Sequence, residues 1–332
     1  MKLGPFDTAA RVLIVAEIGN NHEGDFALAQ RLVALAADAG ADAVKFQTII
    51  PDELVTPDQT ARLARLRQFQ FSLDQFAALA RLAHERGLLF LTTPFALSVV
   101  SPLSSQVDAF KIASSDNNFA PLLDAVAASG KPLLVSTGLL DLAGTVALER
   151  YLAARMPAER LALLHCVCAY PVPEEQAGLA AVAAMARALS CTVGYSDHTL
   201  GLDAAVLAVA AGARVIEKHF TVNKQHSEFR DHQLSADPAD LRALVGRIRQ
   251  AERLLGPPGK VLQPCEQGMV GAVRRSLAAR RDLPAGHRLT WDDLAWLRPG
   301  SGLPPGQEAA VVGKALRGAV ARGQLLTPDL VG

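Results

Sequence analysis

What most limits the folds open to this chain is a regular alternation of short apolar runs with amphipathic segments. The apolar runs begin near Arg11, Ala43, Leu88, Ala109, Pro132, Leu161, Cys191 and Arg214. Most hold Val, Ile, Leu or Phe on successive positions, the pattern of strands buried on both faces. Between them lie segments with helical periodicity, among them Phe26–Ala39, 72–86, 175–189 and Pro238–Leu255. Gly40, Gly87, Gly130 and Gly212 follow such segments and read as helix C-terminal stops. Eight strands alternating with helices predict an α/β chain closed into a (β/α)8 barrel. A doubly wound open sheet is the competing arrangement, and the count of eight favours the barrel.

Composition removes several function classes. The 332 residues carry 33 Lys+Arg and 33 Asp+Glu, so no basic excess points to nucleic acid. Half the residues are hydrophobic and 20% are charged, which suits a large core and not a disordered chain. Four cysteines make no disulfide framework and point to a reduced, cytoplasmic setting. The uncharged stretch 88–107 includes Pro94, Pro102, Gln106 and several hydroxyl residues. It reads as a buried strand plus a loop rather than a membrane span, and neither a leader nor a membrane segment is expected.

Charge and punctuation divide the chain. Residues 1–255 form the expected barrel. Residues 256–272 open with Gly256-Pro257-Pro258-Gly259 and stay polar, as a linker does. Residues 273–332 are net basic, whereas the rest is net acidic. Two frames in this last part, Gly286-His287-Arg288-Leu289-Thr290 and Gly323-Gln324-Leu325-Leu326-Thr327, form a weak internal repeat, each followed by Asp-Leu. A compact β-rich module of this size needs a packing surface on the barrel or on another subunit.

A barrel works at the C-terminal ends of its strands. The polar residues fall there: Glu17 on the first strand, Lys45 and Gln47 on the second, Thr93 on the third, Lys111 and Ser114 on the fourth, Ser136 on the fifth, His165 and Cys166 on the sixth, Ser196 and His198 on the seventh, Glu217 and His219 on the eighth. Side chains alternate along a strand, so Ser196 shares a direction with His198, and Glu217 with His219. The two imidazoles on neighbouring strands suit one shared metal ion, or else two histidines satisfied by core hydrogen bonds. Lys45 and Lys111 sit in apolar surroundings. They read as a polyanion pocket supported by hydroxyls, or as stems whose heads reach water. No phosphate-binding glycine loop and no dinucleotide fingerprint is present, so the anion is a small metabolite. Glu17 and Glu23 both suit acid–base work. Glu17 is favoured because it lies on the strand, and Glu23 is assigned to capping beside Asp25. Cys166 and Cys168 read as buried structural thiols, since four zinc ligands are not in sight.

The motifs together resemble the sialic acid synthase (N-acetylneuraminate synthase) family. They are Ala16-Glu17-Ile18-Gly19-Asn20-Asn21-His22-Glu23-Gly24, Val44-Lys45-Phe46-Gln47-Thr48, Thr92-Thr93-Pro94-Phe95, Lys111-Ile112-Ala113-Ser114, Ser136-Thr137-Gly138, Leu164-His165-Cys166 leading to Tyr170-Pro171, Gly194-Tyr195-Ser196-Asp197-His198-Thr199 and Ile216-Glu217-Lys218-His219-Phe220. The C-terminal part, with Arg298-Pro299-Gly300-Ser301-Gly302, resembles the antifreeze-like (SAF) domain of that family.

The resemblance implies condensation of phosphoenolpyruvate with an N-acylated aminosugar and water. The products are a nonulosonic acid and phosphate, released by C–O cleavage. It implies a divalent metal, usually Mn²⁺ with Mg²⁺ or Co²⁺ as alternatives, on His198 and His219. It also implies catalytic roles for Glu17, Lys45 and Lys111 and substrate contacts at Thr93, Ser114, Asp116, Ser136, Cys168, Tyr170, Ser196, Glu217 and Asp231. Arg298 would reach the active site of a second copy in a domain-exchanged homodimer. Cys168 stands where the sialic acid enzymes commonly place asparagine, and Ser115-Asp116 replaces a Gly-Glu pair. N-acetylmannosamine is the first expected sugar. Legionaminate, pseudaminate and spore-coat polysaccharide synthases, acting on other aminosugars, are the alternatives. A 3-deoxy-heptulosonate-type aldol synthase and a non-catalytic sugar- or ice-binding protein are the remaining readings.

Overall fold

The structure, a computed structural model, describes residues 1–332. Its contacts divide it into two compact units, Met1–Gly256 and Pro257–Gly332. Eight parallel strands close the first unit into a barrel. They are β1 (Leu13–Gly19), β2 (Ala43–Thr48), β3 (Leu89–Pro94), β4 (Ala109–Ile112), β5 (Leu133–Ser136), β6 (Leu161–Cys166), β7 (Thr192–Asp197) and β8 (Val215–His219). Each pairs with the next, and β8 closes the ring on β1, with His219 opposite Glu17. This is the expected (β/α)8 architecture, and the open sheet is excluded.

Strand alternation sorts the side chains into two layers. Ile14, Ala16, Val44, Phe46, Phe90, Phe110, Ile112, Val135, Leu163 and Ile216 point outward against the helices. Leu13, Val15, Ala43, Leu91, Ala109, Leu134, Ala162, Leu164 and Val215 point inward and fill the N-terminal half of the barrel. A hairpin of Lys2–Leu3 and Phe6–Asp7 adds Met1 and Leu3 to that interior cluster. Apolar filling ends halfway up, so the next inward residue on each strand borders the C-terminal mouth.

Local chemistry sets the helix ends. Asp25 caps Phe26–Ala39 by accepting from the Leu28 N–H, and Ser72 with Gln75 forms a capping box on Leu73–Glu85. The four glycines read as stops all have positive φ, from +75° to +112°. The segment expected as one helix over 175–189 is a 3-10 turn, Glu174–Gln176, followed by the helix Ala180–Ala188. Gly178, at φ +59°, interrupts it. After the strand Leu89–Pro94, the expected loop coils into short turns at Leu97–Val99 and Val100–Leu103.

In the second unit the stretch before the SAF-like part carries a short exposed helix, Gln267–Val273. Strands Ser276–Ala279 and Leu294–Leu297 pair antiparallel around a core of Leu277, Leu283, Leu289, Leu294, Leu316 and Leu326. The internal repeat has a structural basis. Gly286 and Gly323 turn with positive φ, and each frame buries its leucine, Leu289 or Leu326.

Candidate active site

A cavity of about 350 Å³ opens at the C-terminal ends of the barrel strands. Its lining includes Glu17, Lys45, Thr93, Lys111, Ser114, Ser136, Tyr170, Ser196, His198, Glu217 and His219, all expected site residues. Gln47, Phe95, Ala113 and Cys166 complete the wall. Four expected residues lie outside that lining. Cys168 faces an adjoining cavity that shares Cys166. Asp116 is half-buried and accepts from the Ser115 hydroxyl. Asp231 pairs with Arg230, whose guanidinium lies 4.9 Å from the Tyr170 ring centre. Arg298 is exposed in the second unit.

The polar centre is a buried quartet of two ammoniums and two carboxylates. Lys45 Nζ lies 2.7 Å from Glu17 Oε2 and 3.7 Å from Glu217 Oε2. Lys111 Nζ lies 3.7 Å from Glu217 Oε1 and donates to Ser136 Oγ (2.6 Å) and the Ile112 carbonyl (3.1 Å). Lys45 also donates to Thr93 Oγ1 (3.0 Å), and Ser196 donates to Glu217 (3.0 Å). Gln47 donates to Glu17 and accepts from Asn20. Glycine at position 19 is required by this packing: at φ +55°, a Cβ there would lie 3.1 Å from Glu17 Oε1. The β1–β2 register shifts at the same point.

The two carboxylates are driven apart. Burial raises Glu17, Lys45 holds it down, the charge of Glu217 adds to the rise, and it stands above its ordinary value. Burial also acts on Glu217, but Lys111 and Lys45 outweigh it and hold it below the ordinary value. Burial lowers Lys45, yet Glu17 and Glu217 more than restore it, so its ammonium stays charged. Burial leaves Lys111 below its ordinary value despite the opposing Glu217 charge. Glu17 is thus the carboxylate that takes a proton more readily, and Glu217 the fixed anion.

The imidazoles are suited to metal ligation. The ring centres of His198 and His219 are 5.4 Å apart. Burial lowers the pKa of both, His219 strongly, so both are neutral near pH 7 and offer lone pairs. His198 commits Nδ1 to the Val167 carbonyl (3.1 Å), which leaves Nε2. His219 Nδ1 is buried with no hydrogen-bond partner. A ring pair satisfied by core hydrogen bonds would not leave such an atom, so this donor set fits a divalent ion. Glu17, Glu217 and the lysines occupy the same wall.

The neighbouring residues of the motifs have a structural job. Lys218 donates to Asp197 (2.8 Å) and to the Thr199 carbonyl, and Asp197 accepts from the Tyr195 and Thr199 hydroxyls. This buried pair faces outward and locks β7 to β8, so the alternate residues Ser196, His198, Glu217 and His219 face the cavity.

Two assignments from sequence need correction. Glu23 is not a cap; Asp25 caps the helix, and Glu23 pairs with His232 at 3.0 Å. Cys166 is buried, but Cys168 is exposed, with its thiol lowered to about 6 by the Cys166 thiol. The strand ends at Cys166, so alternation no longer governs Cys168. Gln47 was readable as an inward residue, two positions after Lys45 on the same strand.

The NeuB family matches residues 32–260 and the SAF domain residues 274–332. The N,N'-diacetyllegionaminic acid synthase of Legionella pneumophila is 37% identical over 329 residues, covering 94% of this chain and 92% of its own length. The human N-acetylneuraminate-9-phosphate synthase is 32% identical over 337 residues, covering 96% and 92%. The crystal structure of an N-acetylneuraminic acid (sialic acid) synthetase from Leptospira borgpetersenii, in complex with citrate, superposes with a TM-score of 0.76 at 32% identity. It covers 81% of this chain and 94% of that one. Barrel, cavity and C-terminal module therefore have one source: the chain belongs to the NeuB family of sialic acid synthase-type enzymes.

Proposed function

We propose that the enzyme condenses phosphoenolpyruvate with an open-chain N-acylated aminosugar to give a nonulosonic acid and phosphate. The buried quartet beside two neutral imidazoles carries this reading. Lys45 and Lys111, backed by Thr93, Ser114, Ser136 and Ser196, hold an anion bearing a phosphate and a carboxylate. Ionised Glu217 keeps both ammoniums charged and aimed. Glu17, the more basic carboxylate, holds or passes a proton at its carboxylate oxygens as the new carbon–carbon bond forms and the sugar oxygen gains charge. The ammoniums and carboxylates of the lining are buried, and the cost of ordering two substrates is met by their binding contacts. A divalent ion on His198 and His219 (Mn²⁺, Mg²⁺ or Co²⁺) would supply Lewis-acid polarisation of the sugar aldehyde.

The sugar C1 accepts C3 of phosphoenolpyruvate and its aldehyde oxygen takes up a proton; water adds at the phosphoenolpyruvate C2 with loss of a proton, and the C2–O bond there breaks to release phosphate and leave the keto group. The experiment is phosphate release from phosphoenolpyruvate carrying ¹⁸O at the C2 bridge, with N-acetylmannosamine as co-substrate. The expected result is sugar-dependent release with the label in phosphate. Release without sugar, or with the label kept in the keto acid, would refute the mechanism. Release that requires a phosphorylated aldose instead would move the chain to heptulosonate-type chemistry.

A 2,4-diacetamido dideoxy sugar is the second reading. It is favoured by the cavity beside Cys168 and by the L. pneumophila relative, named for N,N'-diacetyllegionaminic acid. Running both sugars in parallel separates the two readings. Four unpaired cysteines suit a cytoplasmic setting, and no helix is long and apolar enough to cross a membrane. The homodimer reading, with Arg298 serving the second copy, is tested by sedimentation and by Arg298→Ala, which should raise the KM for sugar far more than that for phosphoenolpyruvate.

A further inference from the structure

Glu23, His226 and His232 bring three ligand atoms within 4.8 Å of one another, and none of the three lines the active-site cavity. Glu23 lies in the loop after β1, whereas His226 and His232 follow β8. Their surroundings are arranged for a cation. Thr221 Oγ1 lies 3.1 Å from the Asn223 carbonyl and 2.6 Å from His232 Nδ1, so in the tautomer whose Nδ1 carries the proton the hydroxyl donates to Asn223 and accepts from His232. That assignment leaves His232 Nε2 facing Glu23 Oε1 at 3.0 Å. In that tautomer a positive centre fits between the lone pair and the carboxylate oxygen; in the other, the Nε2 proton bridges them and an arriving cation displaces it. A proton would serve two atoms. The third group, His226, is what a proton does not need: it is exposed, free to rotate, and its ring lies 5.1 Å from that of His232.

The outer shell is also in place. A ligating histidine donates its second N–H to a fixed acceptor, the place Thr221 Oγ1 takes beside His232 Nδ1, and a ligating carboxylate is itself hydrogen-bonded, as Glu23 is by Ser227 Oγ at 2.6 Å. Ligand atoms about 3.3 Å apart satisfy a tetrahedral ion with Zn–N of about 2.0–2.1 Å. The Glu23–His232 pair is already near that spacing, and His226 closes the rest by turning. Two imidazoles and a carboxylate suit Zn²⁺ and its neighbours rather than Mg²⁺ or Ca²⁺.

We propose that Glu23, His226 and His232 form a second divalent-metal site, of the zinc class, that ties the loop after β1 to the segment after β8. Asp231, the aspartate expected to contact the sugar, adjoins His232 and would be positioned by the tie. This proposal does not depend on the assigned reaction or on the His198–His219 pair.

The test is zinc stoichiometry by elemental analysis after chelator-stripped, full-length protein is equilibrated with micromolar Zn²⁺ and desalted. The quantity read is the difference between wild type and His226→Ala. His226 is exposed, and circular dichroism should confirm that the variant keeps its fold. The expected result is one ion fewer per chain in the variant, with affinity at that site weakened at least about 100-fold. His219→Ala should keep the ion that His226→Ala loses. Cobalt substitution should add visible absorption in wild type, part of which vanishes in His226→Ala. Equal zinc content in wild type and His226→Ala would overturn the proposal, as would a His219→Ala protein that binds none.

Discussion

The buried quartet makes a quantitative prediction about charge balance. Glu217→Gln preserves size and leaves an amide oxygen to accept from Ser196, but it removes one of two negative charges facing two ammoniums. Each ammonium lies 3.7 Å from a Glu217 oxygen. At an effective dielectric of about 20, one such contact is worth about 4.5 kcal/mol. Relaxation and water entry recover part of this, so the expected loss is about 3–5 kcal/mol of unfolding free energy. Lys111 is already below its ordinary pKa through burial, so it is the group that sheds its proton. Its folded-state pKa falls further under the unfolded value, and the unfolded state then binds more protons between the two. Stability rises with pH across that interval, and the deficit should narrow toward about pH 10.

The companion change, Lys111→Met, removes the surplus charge and keeps the stem. The double variant should recover at least about 2 kcal/mol over Glu217→Gln, a coupling that two independent sites would not show. The assay is urea unfolding followed by far-UV circular dichroism in chelator. Both tryptophans, Trp291 and Trp296, lie in the second unit, so fluorescence would report the wrong part of the chain. A Glu217→Gln protein within about 1 kcal/mol of wild type, or additive losses in the double variant, would refute the reasoning.

Three further outcomes follow from other contacts. Gly138→Ala places a Cβ 2.6 Å from Ser114 Oγ and from Cys168 Sγ, so the serine must move. Steady-state kinetics should show the KM for phosphoenolpyruvate rising about tenfold or more, and an unchanged KM would dismiss Ser114 as an anion contact. Cys168, exposed and lowered to about 6, should be the first thiol alkylated by iodoacetamide at pH 7. Peptide mapping should show its rate rising with pH to a plateau above about pH 7, and preferential labelling of Cys265 would contradict this. Asp293 accepts from Arg281, His287 and Thr290, and these bonds hold its carboxyl below the usual range. Its stabilisation is complete above the unfolded value near 4 and is lost as pH falls below it. Asp293→Asn should therefore cost about 1–3 kcal/mol at pH 7 by tryptophan fluorescence and flatten the acid limb.

The strands are legible because burial on both faces leaves uninterrupted apolar runs, and the residues of the candidate site are legible because polar side chains break those runs only at one end. Ser196-Asp197-His198 shows how far such reading goes. Alternation alone separates the cavity residues from Asp197, although not what Asp197 holds. Alternation ends with the strand at Cys166, so two thiols alike in sequence context part in the structure, Cys166 buried and Cys168 exposed. Glu23 failed for another reason. Its partner is 209 residues away in sequence, and no local pattern announces a contact closed only by the barrel ring. The helix over 175–189 was lost to one glycine whose positive φ outweighed an otherwise helical pattern. The zinc-class cluster has the same origin as the Glu23 error, since it forms only when β8 returns to β1.

The division of the barrel interior explains why the charged layer persists. Its N-terminal half is filled with small and branched apolar residues and closed by Met1 and Leu3, so an apolar core lies beneath the charged layer. Buried ion pairs are poor stabilisers. Well-packed hydrophobes of similar volume often match or exceed them by about 1–4 kcal/mol. A barrel selected for stability alone would continue its apolar layers to the mouth. Here the same strands switch to Glu17, Lys45, Lys111 and Glu217 two positions after fully buried Val15, Ala43, Ala109 and Val215, and His219 follows two positions beyond Glu217. On the proposed reaction, the cost is borne where an incoming anion would meet ammoniums already desolvated and aimed. Those ammoniums need not reorganise when charge shifts during reaction, and that preorganisation is what a charged layer provides and an apolar one does not.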